Sequence, residues 1–336
     1  MKSIHIPPSP PCPDHLPIAA DKPWLAPLAG YSDLSFRLLC REYGAACCCT
    51  EMVSAKGLFY ESKGTGMLLA SVPEDQPLVV QLFGGEEKFL RLAVRELVQA
   101  GYRWFDLNMG CSVRKVLKQG AGAGMLGDPE NCLVCARAML EEAGPGHVGF
   151  KLRLGLDAAR PVLPDLALRL AELGAGWISL HPRTAKQAFG GMADWSEIAA
   201  LAARLPVPLI ASGDLFTAED GMRCLAETGA AAVMYARGAL RRPTVFADHA
   251  ALCRGESPAE PQAPALRSML LRHLALAGKA YPGRDQTPRM RGILCSYVRG
   301  LPGSRAMREA LCQCSQWDGL FTIIDEYLPP CENNPS

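Results

Sequence analysis

The stretch that decides the fold is Leu78–Leu107, which reads LVVQLFGGEEKFLRLAVRELVQAGYRWFDL. A short apolar run comes first, and an amphipathic segment follows whose apolar residues recur at helical spacing over Glu87–Val98. Gly101 then ends the helical segment, and a second apolar run begins at Trp104. This order of strand, helix, glycine and strand is typical of a parallel β/α unit.

Apolar runs of this kind occur eight times, and helical periodicity follows them. Their starts are mostly 23–31 residues apart, with one longer step of 44 residues. No glycine-rich dinucleotide-binding turn follows the first run, which argues against an open doubly wound sheet. Eight regular units therefore predict a closed (β/α)8 TIM barrel. The predicted strands are Trp24–Leu28, Cys47–Met52, Leu78–Leu82, Trp104–Leu107, Val148–Leu152, Trp177–Leu180, Val207–Ala211 and Ala231–Tyr235.

The rest of the sequence divides around this barrel, which is predicted over residues 21–254. Residues 1–20 are rich in proline, which fixes φ and removes backbone donors, so we expect an extended lead-in outside the fold. Residues 255–264 have the composition of a linker. Residues 265–336 contain no strand candidate and are expected to form a small C-terminal all-helical domain.

Composition excludes a membrane protein. With 49% hydrophobic residues and a mean hydropathy of +0.05, the chain can bury a core, but it has no apolar run near the ~18 residues of a span. The 14 cysteines occur in a chain too long for a disulfide-stapled mini-protein. We therefore expect a cytoplasmic protein, and nothing in the sequence implies a protein partner, so a monomer is the expectation.

Charge is unevenly distributed along the chain. The whole sequence carries +1, yet residues 265–310 alone carry +7, with only Asp285 and Glu309 as acids. Two interpretations remain open: solvated helix faces, or an electrostatic footprint for phosphates. The basic residues are Arg267, Arg272, Lys279, Arg284, Arg289, Arg291, Arg299, Arg305 and Arg308.

The chemistry of a TIM barrel lies at the carboxyl ends of its strands. Every predicted strand here ends in polar or unusually small residues, and the seventh and eighth end where such barrels commonly hold a phosphate. The candidate residues at this mouth are Ala29, Gly30, Glu51, Gln81, Asn108, Met109, Gly110, Cys111, Lys151, His181, Arg183, Ser212, Gly213, Asp214 and Arg237.

Lys151 is the least expected of these residues, because it puts a charge into a strand that should be buried on both faces. An unpaired charge there is costly. Two partners are open: an anionic ligand in the mouth, or a carboxylate such as Glu51.

The candidate cysteine is Cys111, which directly follows the fourth strand at the catalytic face. Its thiol could be a nucleophile with a lowered pKa, or a general acid with a pKa near the reference of about 8.5. His181 is equally well explained as a core histidine or a ligand contact. Cys132 and Cys135 have CxxC spacing without a second pair, which favours a packed helix face over a metal site.

Taken together, these residues resemble the tRNA-dihydrouridine synthases, and most of all the bacterial B-type enzymes. The resemblance extends from about Pro27 to about Tyr327. It implies an FMN-binding barrel followed by a helical tRNA-binding domain. The motifs that carry it are PLAGYSD at 27–33, TEM at 50–52, LNMGC at 107–111, KLR at 151–153, HPRT at 181–184 and SGD at 212–214.

The resemblance also implies residue roles. Cys111 would be the proton donor and Asn108 would lie near the target uracil. Arg183 is also expected to contact the tRNA, and the charge excess of the C-terminal region predicts the same for Arg289, Arg291, Arg305 and Arg308. The residues expected to bind FMN are Pro27, Leu28, Ala29, Gln81, Lys151 and His181 around the ring, and Ser212, Gly213, Asp214, Ala236 and Arg237 at the phosphate.

The sequence departs from the family pattern at three positions. Ser112 stands where proline usually follows the catalytic cysteine, which is expected to loosen that loop. Ser212 replaces the usual asparagine after the seventh strand, and Ala236 replaces the glycine before Arg237. These two changes are expected to affect the individual phosphate contacts that the resemblance implies.

The implied chemistry is reduction of the uracil 5,6-double bond, with a hydride to C6 from flavin reduced by NADPH or NADH and a proton to C5 from Cys111. A base in folded tRNA must be extruded to reach a barrel mouth, which accounts for a basic domain beside it. Two alternatives stay open: an FMN-dependent barrel oxidoreductase acting on a free pyrimidine or other small molecule, and a catalytically silent RNA-binding relative.

Overall fold

The structure, a computed structural model, describes residues 6–60, 64–258 and 263–330. Within these ranges it contains nine strands and fifteen α-helices. The strands are β1 (Trp24–Leu25), β2 (Cys47–Cys49), β3 (Val53–Ser54), β4 (Leu78–Phe83), β5 (Trp104–Met109), β6 (Val148–Leu152), β7 (Trp177–Leu180), β8 (Leu209–Ala211) and β9 (Ala232–Tyr235). The helices are α1 (Leu34–Glu42), α2 (Ala55–Phe59), α3 (Thr65–Leu68), α4 (Glu87–Gln99), α5 (Arg114–Leu117), α6 (Pro129–Ala143), α7 (Asp165–Glu172), α8 (Trp195–Ala202), α9 (Ala218–Thr228), α10 (Arg237–Arg241), α11 (Val245–Cys253), α12 (Ala263–Ala280), α13 (Thr287–Tyr297), α14 (Ser304–Gln313) and α15 (Trp317–Tyr327).

The strands close into a parallel barrel. They follow one another around it in chain order, and the circle closes where Leu25 of β1 pairs with Tyr235 of β9. β3 continues the path of β2, because both pair with β4. Helices cover the outside, and their ends follow local sequence: Thr217 and Asp220 form a reciprocal cap at the start of α9, and Gly229 ends it with φ +66°. The predicted TIM barrel is confirmed.

Two predicted strands end earlier than expected, and two others begin later: β8 begins at Leu209 rather than Val207, and β9 begins at Ala232 rather than Ala231. The first ends at Leu25 rather than Leu28, because Pro27 has no N–H and the N–H of Leu28 donates to Ser32 Oγ (2.9 Å). The second is interrupted after Cys49, where Thr50 Oγ1 accepts the N–H of Gln81 (3.0 Å) in place of a backbone carbonyl.

The barrel interior changes from apolar to polar along the strands. At the amino ends of the strands, Trp24, Trp104 and Trp177 fill it, and Gly149 is required because a Cβ there would come within 2.0 Å of the Trp177 ring. Cys47 and Cys49 belong to this inner cluster, whereas Cys48 packs outward with the helices. Towards the carboxyl ends of the strands, the inward-facing side chains become polar. The barrel therefore has a polar mouth at that end and a closed apolar floor, formed by the inner cluster, at the other.

The proline-rich lead-in forms the underside of this floor. Trp24 Nε1 donates to the carbonyl of Pro17 (2.8 Å) and Trp104 Nε1 to that of Pro13 (3.3 Å). Its apolar side chains pack on the inner cluster: Cys12, Leu16 and Ile18. The described residues 6–20 contain neither helix nor strand, and they pack against the barrel instead of lying outside the fold.

Helices α12–α15 follow the barrel and pack on its side. α12 lies against α1, where buried His273 approaches Ser35 Oγ (3.3 Å) through Nε2 and Tyr297 Oη (2.9 Å) through Nδ1. α12 already begins at Ala263, two residues before the expected boundary. Residues 259–262 of the expected linker, and residues 331–336, lie outside the described residues. No helix in the described ranges is long and apolar enough to cross a membrane.

Candidate active site

A cleft of about 250 Å³ opens at the carboxyl ends of the strands. Its walls contain Cys111, Asn108 and every residue expected to bind the cofactor. These cofactor candidates are Pro27, Leu28, Ala29, Gln81, Lys151, His181, Ser212, Gly213, Asp214, Ala236 and Arg237. The structure thus brings together residues from all eight strand ends, although their individual roles stay predictions.

Lys151 faces a buried carboxylate inside the barrel. The neighbour is Asp106 on β5, and not Glu51, which instead pairs with Arg289 (2.7 Å) and accepts the N–H of Gly30. Burial lowers the pKa of Lys151, with Arg153 acting in the same direction, while Asp106 raises it. Burial likewise raises the pKa of Asp106, against the lowering effects of Gln81 and of Lys151.

Two side chains, Gln81 and Asn108, connect Asp106 to the loop that carries Cys111. Gln81 Nε2 donates to Asp106 Oδ1 (2.6 Å), and Asn108 Nδ2 donates to Gln81 Oε1 (2.8 Å). Asn108 Oδ1 then accepts the backbone N–H groups of Gly110 (3.1 Å) and Cys111 (2.8 Å). The amide of Asn108 therefore holds the first turn after β5.

The Cys111 loop is held from two further sides. Arg153 Nε donates to the carbonyl of Gly110 (2.7 Å), and the N–H of Ala123 donates to the carbonyl of Cys111 (2.9 Å). Gly122 makes this close approach possible, since its φ is +60° and a Cβ there would come within 2.7 Å of that carbonyl. Cys111 itself is half-buried at the cleft, next to Ser112.

The far end of the cleft is built on Asp214 and two arginines. Arg183 pairs with Asp214 at 2.7 Å and Arg237 at 3.0 Å. Gly213 has φ +109°, and a Cβ there would come within 2.7 Å of the His181 ring, so only glycine lets the backbone pass so close. Two cations against one carboxylate leave this end of the cleft with a net positive charge.

His181 is neutral in this setting. Burial lowers its pKa to about 2, and the surrounding cations, with Lys151 the foremost, add to the effect. Arg183 Nη1 lies 3.0 Å from His181 Nε2. Because a guanidinium only donates, Nε2 accepts and the ring proton resides on Nδ1. His181, which lines the cleft, can therefore donate a hydrogen bond from Nδ1 without carrying charge.

The arginines expected to contact tRNA occupy different environments. Arg183 is 1% exposed and its guanidinium is bonded to Asp214 and to the carbonyls of Gly190 and Gly191, so it is buried next to Asp214 and does not line the cleft. Arg289 pairs with Glu51 and approaches Asp33 (3.4 Å), joining α13 to the barrel. Arg291 donates to the carbonyl groups at the end of α14 (3.3 Å). Arg305 is exposed beside Glu309, and Arg308 is half-buried on the same helix.

The comparison with known proteins decides the family. Residues 24–327 match the sequence model described as dihydrouridine synthase (Dus). The chain belongs to the dihydrouridine synthase family. The family resemblance found in the sequence is thereby confirmed.

Several relatives of this dihydrouridine synthase chain are similar over nearly its whole length. It is 33% identical to the probable tRNA-dihydrouridine synthase 1 of Synechocystis sp., over 90% of this chain and 85% of the relative. It is 32% identical to the tRNA-dihydrouridine synthase B of Xanthomonas axonopodis pv. citri, over 92% and 93%. Among solved structures, morphinone reductase has a TM-score of 0.47 at 14% identity, covering 72% of this chain and 87% of that one, which is too distant for any inference.

Sequence reasoning missed several residues of this dihydrouridine synthase site. Asp106 is a charge in a buried strand, so the argument applied to Lys151 would have found it. Arg153 is 3% exposed and fastens the Cys111 loop, although the sequence marked it only as part of a motif. Phe189 is 59% exposed at the cleft, with Arg237 4.8 Å from its ring, and nothing in the sequence indicates it.

The CxxC pair lies away from this site. Cys132 and Cys135 are buried in the core on α6, and burial raises the pKa of each to about 12. Cys132 Sγ donates to the carbonyl of Met125 (3.1 Å). Both therefore pack as neutral thiols on one helix face.

Proposed function

We propose that this family member reduces the C5–C6 double bond of uridines in tRNA, using FMN bound in the cleft and NADPH or NADH as reductant. The observation that carries the proposal is the convergence, in one cleft, of a thiol on a fastened loop, a lysine and a positively charged far end. The curated relatives named above are tRNA-dihydrouridine synthases along nearly the full length of this chain, which supports the tRNA substrate.

The residues of the cleft fit FMN. Arg237, 36% exposed, and the backbone of Gly213 suit a phosphate at the far end, because a glycine backbone allows close approach and a guanidinium pairs with phosphate. Lys151 suits the negatively charged edge of a reduced flavin. Pro27, Leu28 and Ala29 line the cleft as an uncharged wall for a flat ring.

FMN bound there and reduced by NAD(P)H would supply a hydride for uracil C6. Cys111 holds a proton on Sγ and delivers it to C5, so the carbon–carbon double bond takes up one hydride and one proton. The thiolate then regains a proton from solvent, and NAD(P)H leaves as NAD(P)+. His181, neutral with its proton on Nδ1, donates a hydrogen bond without competing as an acid.

The tRNA would bind across α12–α15 and present the extruded base to the cleft. The net charge of +7 over residues 265–310 supports phosphate contacts, and Arg305 and Arg308 lie on one helix for this purpose. In this proposal residues 265–336 form the tRNA-binding domain, residues 21–254 the catalytic barrel, and the protein acts as a cytoplasmic monomer.

The deciding experiment is mass-spectrometric mapping of dihydrouridine in tRNA from cells with and without the gene, together with the flavin content of the purified protein. Loss of dihydrouridine at defined positions, and release of FMN on denaturation, are the expected results. Unchanged tRNA with reduction of free uracil would instead favour a small-molecule oxidoreductase. A colourless protein that gains no thermal stability from added FMN would exclude the flavin proposal.

A further inference from the structure

Asp106 is a buried carboxylate without an assigned role, and it begins the hydrogen-bond chain that ends at Cys111. It is 2% exposed, and its Oδ2 has no hydrogen-bond partner within the described residues. Its Oδ1 is bonded to Gln81 at 2.6 Å, a short distance typical of a charge-assisted bond. The chain then continues through Asn108 to the backbone N–H groups of Gly110 and Cys111.

This chain has only one consistent direction, because both of its ends are fixed. Above the raised pKa of Asp106, which is about 7, its carboxylate can only accept, and the backbone N–H groups of Gly110 and Cys111 can only donate. Gln81 and Asn108 each have one donating and one accepting end. If either amide turned over, two donors or two acceptors would face each other inside the barrel, which costs about 1–3 kcal/mol for each buried unsatisfied group.

We propose that Asp106 is a positioning residue: it sets the orientation of Gln81 and Asn108 and thereby fixes the loop that presents Cys111. The anchoring follows from the hydrogen bonds alone, and only its importance for proton delivery rests on the proposed function. Lys151 strengthens the dependence on charge at this position, since its ammonium group faces Asp106 inside the barrel.

An amide at position 106 removes the fixed end. In the Asp106→Asn variant the ammonium of Lys151 favours the amide oxygen, which turns the amide N–H₂ towards Gln81. Gln81 and Asn108 must then either turn over or face a like group. The N–H groups of Gly110 and Cys111 lose their acceptor in the first case, so the loop is released.

The converse change at the other end is Asn108→Asp. A carboxylate at position 108 still accepts the loop N–H groups, but it and Asp106 now both require the N–H₂ end of Gln81. The double variant Asp106→Asn/Asn108→Asp resolves the conflict with the direction reversed: the amide at 106 donates to Gln81, and Gln81 donates to the carboxylate at 108. The total charge of the double variant equals that of the wild type.

The test is a double-mutant cycle on the full-length protein without added cofactor. Hydrogen exchange followed by mass spectrometry reads the amides of Gly110 and Cys111, and urea unfolding at pH 8 reads stability. We expect Asp106→Asn to speed exchange of these two amides about 10-fold, equivalent to one lost hydrogen bond. Each single variant should be less stable than wild type. The double variant should regain the wild-type stability, and the exchange rates of its Gly110 and Cys111 amides should return to within about 3-fold of wild type.

A matched control is Ser179→Ala, which removes a buried hydroxyl beside Lys151 on the neighbouring strand, outside the chain of hydrogen bonds. It should leave exchange at Gly110 and Cys111 unchanged. Additive losses in the double variant, or loop exchange that Asp106→Asn does not alter, would overturn the proposal. If Asp106→Asn fails to fold, a double variant more stable than Asn108→Asp supports the proposal and a less stable one contradicts it. Dihydrouridine mapping of the wild type is independent of each of these outcomes.

Discussion

Several arginines around the barrel mouth and several on the C-terminal helices differ in solvent exposure and in hydrogen bonding. Around the mouth, Arg153 and Arg183 are at most 3% exposed and bonded to carbonyl groups or to Asp214. On the helices, the side chain of Arg305 is 88% exposed, and Arg299 is exposed as well. Arg153 and Arg183 are held in a low-dielectric setting, whereas Arg299 and Arg305 are exposed to water.

This difference predicts different responses to salt. Exposed charges further apart than about 8–10 Å are largely screened at physiological ionic strength, whereas buried ones are screened much less. Binding of a small anion in the mouth should therefore depend on individual side chains and weakly on salt. Binding of a polyanion to the helices should depend on their summed charge and steeply on salt.

The largest expected effect is in the mouth. Cys111→Ala should lower dihydrouridine formation by about 10² to 10⁴, the range for a positioned general acid, since no proton then reaches C5. FMN binding and NAD(P)H oxidation should persist, because the other residues lining the cleft are unchanged. Product is measured by mass spectrometry of tRNA under steady-state turnover.

The matched control for the thiol is Cys253→Ala, which removes another half-buried cysteine, on α11 away from the cleft. It should leave product formation unchanged. Near-normal dihydrouridine formation by Cys111→Ala would mean that another group donates the proton.

Lys151→Met should weaken FMN binding by about 10- to 100-fold, the loss expected for a hydrogen bond to a charged group. The methionine keeps most of the side-chain volume but leaves Asp106 without its cation. Affinity is measured by flavin fluorescence on titration of apoprotein, at low and at high salt. If FMN binding depended on salt as steeply as tRNA binding does, the predicted difference in salt dependence between the mouth and the helices would be contradicted.

His273 lies where the C-terminal helices contact α1 of the barrel. Burial lowers the pKa of His273 to about 3, with the charge of Arg289 adding to the effect, so the unfolded state takes up a proton first as pH falls. The free energy of unfolding should then fall by about 1.4 kcal/mol between pH 7.5 and 5.5 through this group. In urea unfolding over the same pH interval, the free energy of unfolding of His273→Gln should fall by about 1.4 kcal/mol less than that of the wild type.

His15→Gln, in the exposed part of the lead-in, is the control and should keep the wild-type pH dependence. Since His273 contacts both α1 and α13, a single transition that shifts as a whole indicates that barrel and helices unfold together. A pH dependence identical in wild type and His273→Gln would contradict the assignment of the acid sensitivity to this histidine.

The smallest effect is expected on the helices. Replacing Arg305 and Arg308 with Ala should weaken tRNA binding several-fold and flatten the log–log salt dependence by about 0.7–0.9 for each phosphate that is no longer neutralised. FMN content and NAD(P)H oxidation should not change. Arg289→Ala should leave the slope unaltered, because Arg289 is committed to Glu51 and Asp33.

Arg160→Ala serves as the control, since Arg160 is an exposed arginine paired with Asp157 on the barrel. Filter binding at several salt concentrations gives the slopes. If the slope stays the same in the double variant, and in a variant that also lacks Arg291, the helices carry a solvated surface and no phosphate contacts.

The barrel could be predicted from the sequence because local patterns determine it. The β6 and β7 strands, for example, match their predicted bounds, since continuous apolar runs and the following helical periodicity are visible within each unit. The ends of β1 and β2 could not be predicted, because Ser32 and Thr50 side chains take over backbone hydrogen bonds there.

The sequence predicts which residues lie in the cleft, because local patterns locate the strand ends. It does not predict which side chains pair with one another. Strand ends meet at one face by topology, so Lys151, His181 and Cys111 could be assigned to it from the sequence. The ion pair of Arg289 with Glu51 joins residues 238 positions apart, and no local pattern encodes such a distance. Asp106 could have been recognised as a second charge in a buried strand, but no local pattern indicates that it faces Lys151.

The packed lead-in gives the protein an intrinsic optical probe. Three of its five tryptophans, Trp24, Trp104 and Trp177, lie at the floor of the barrel, and two of them donate their indole N–H to carbonyls of the proline-rich segment. Detachment of that segment would admit water to these rings and shift their emission to longer wavelength. Tryptophan fluorescence should therefore report the closure of the barrel floor, at the end of the molecule opposite the cleft.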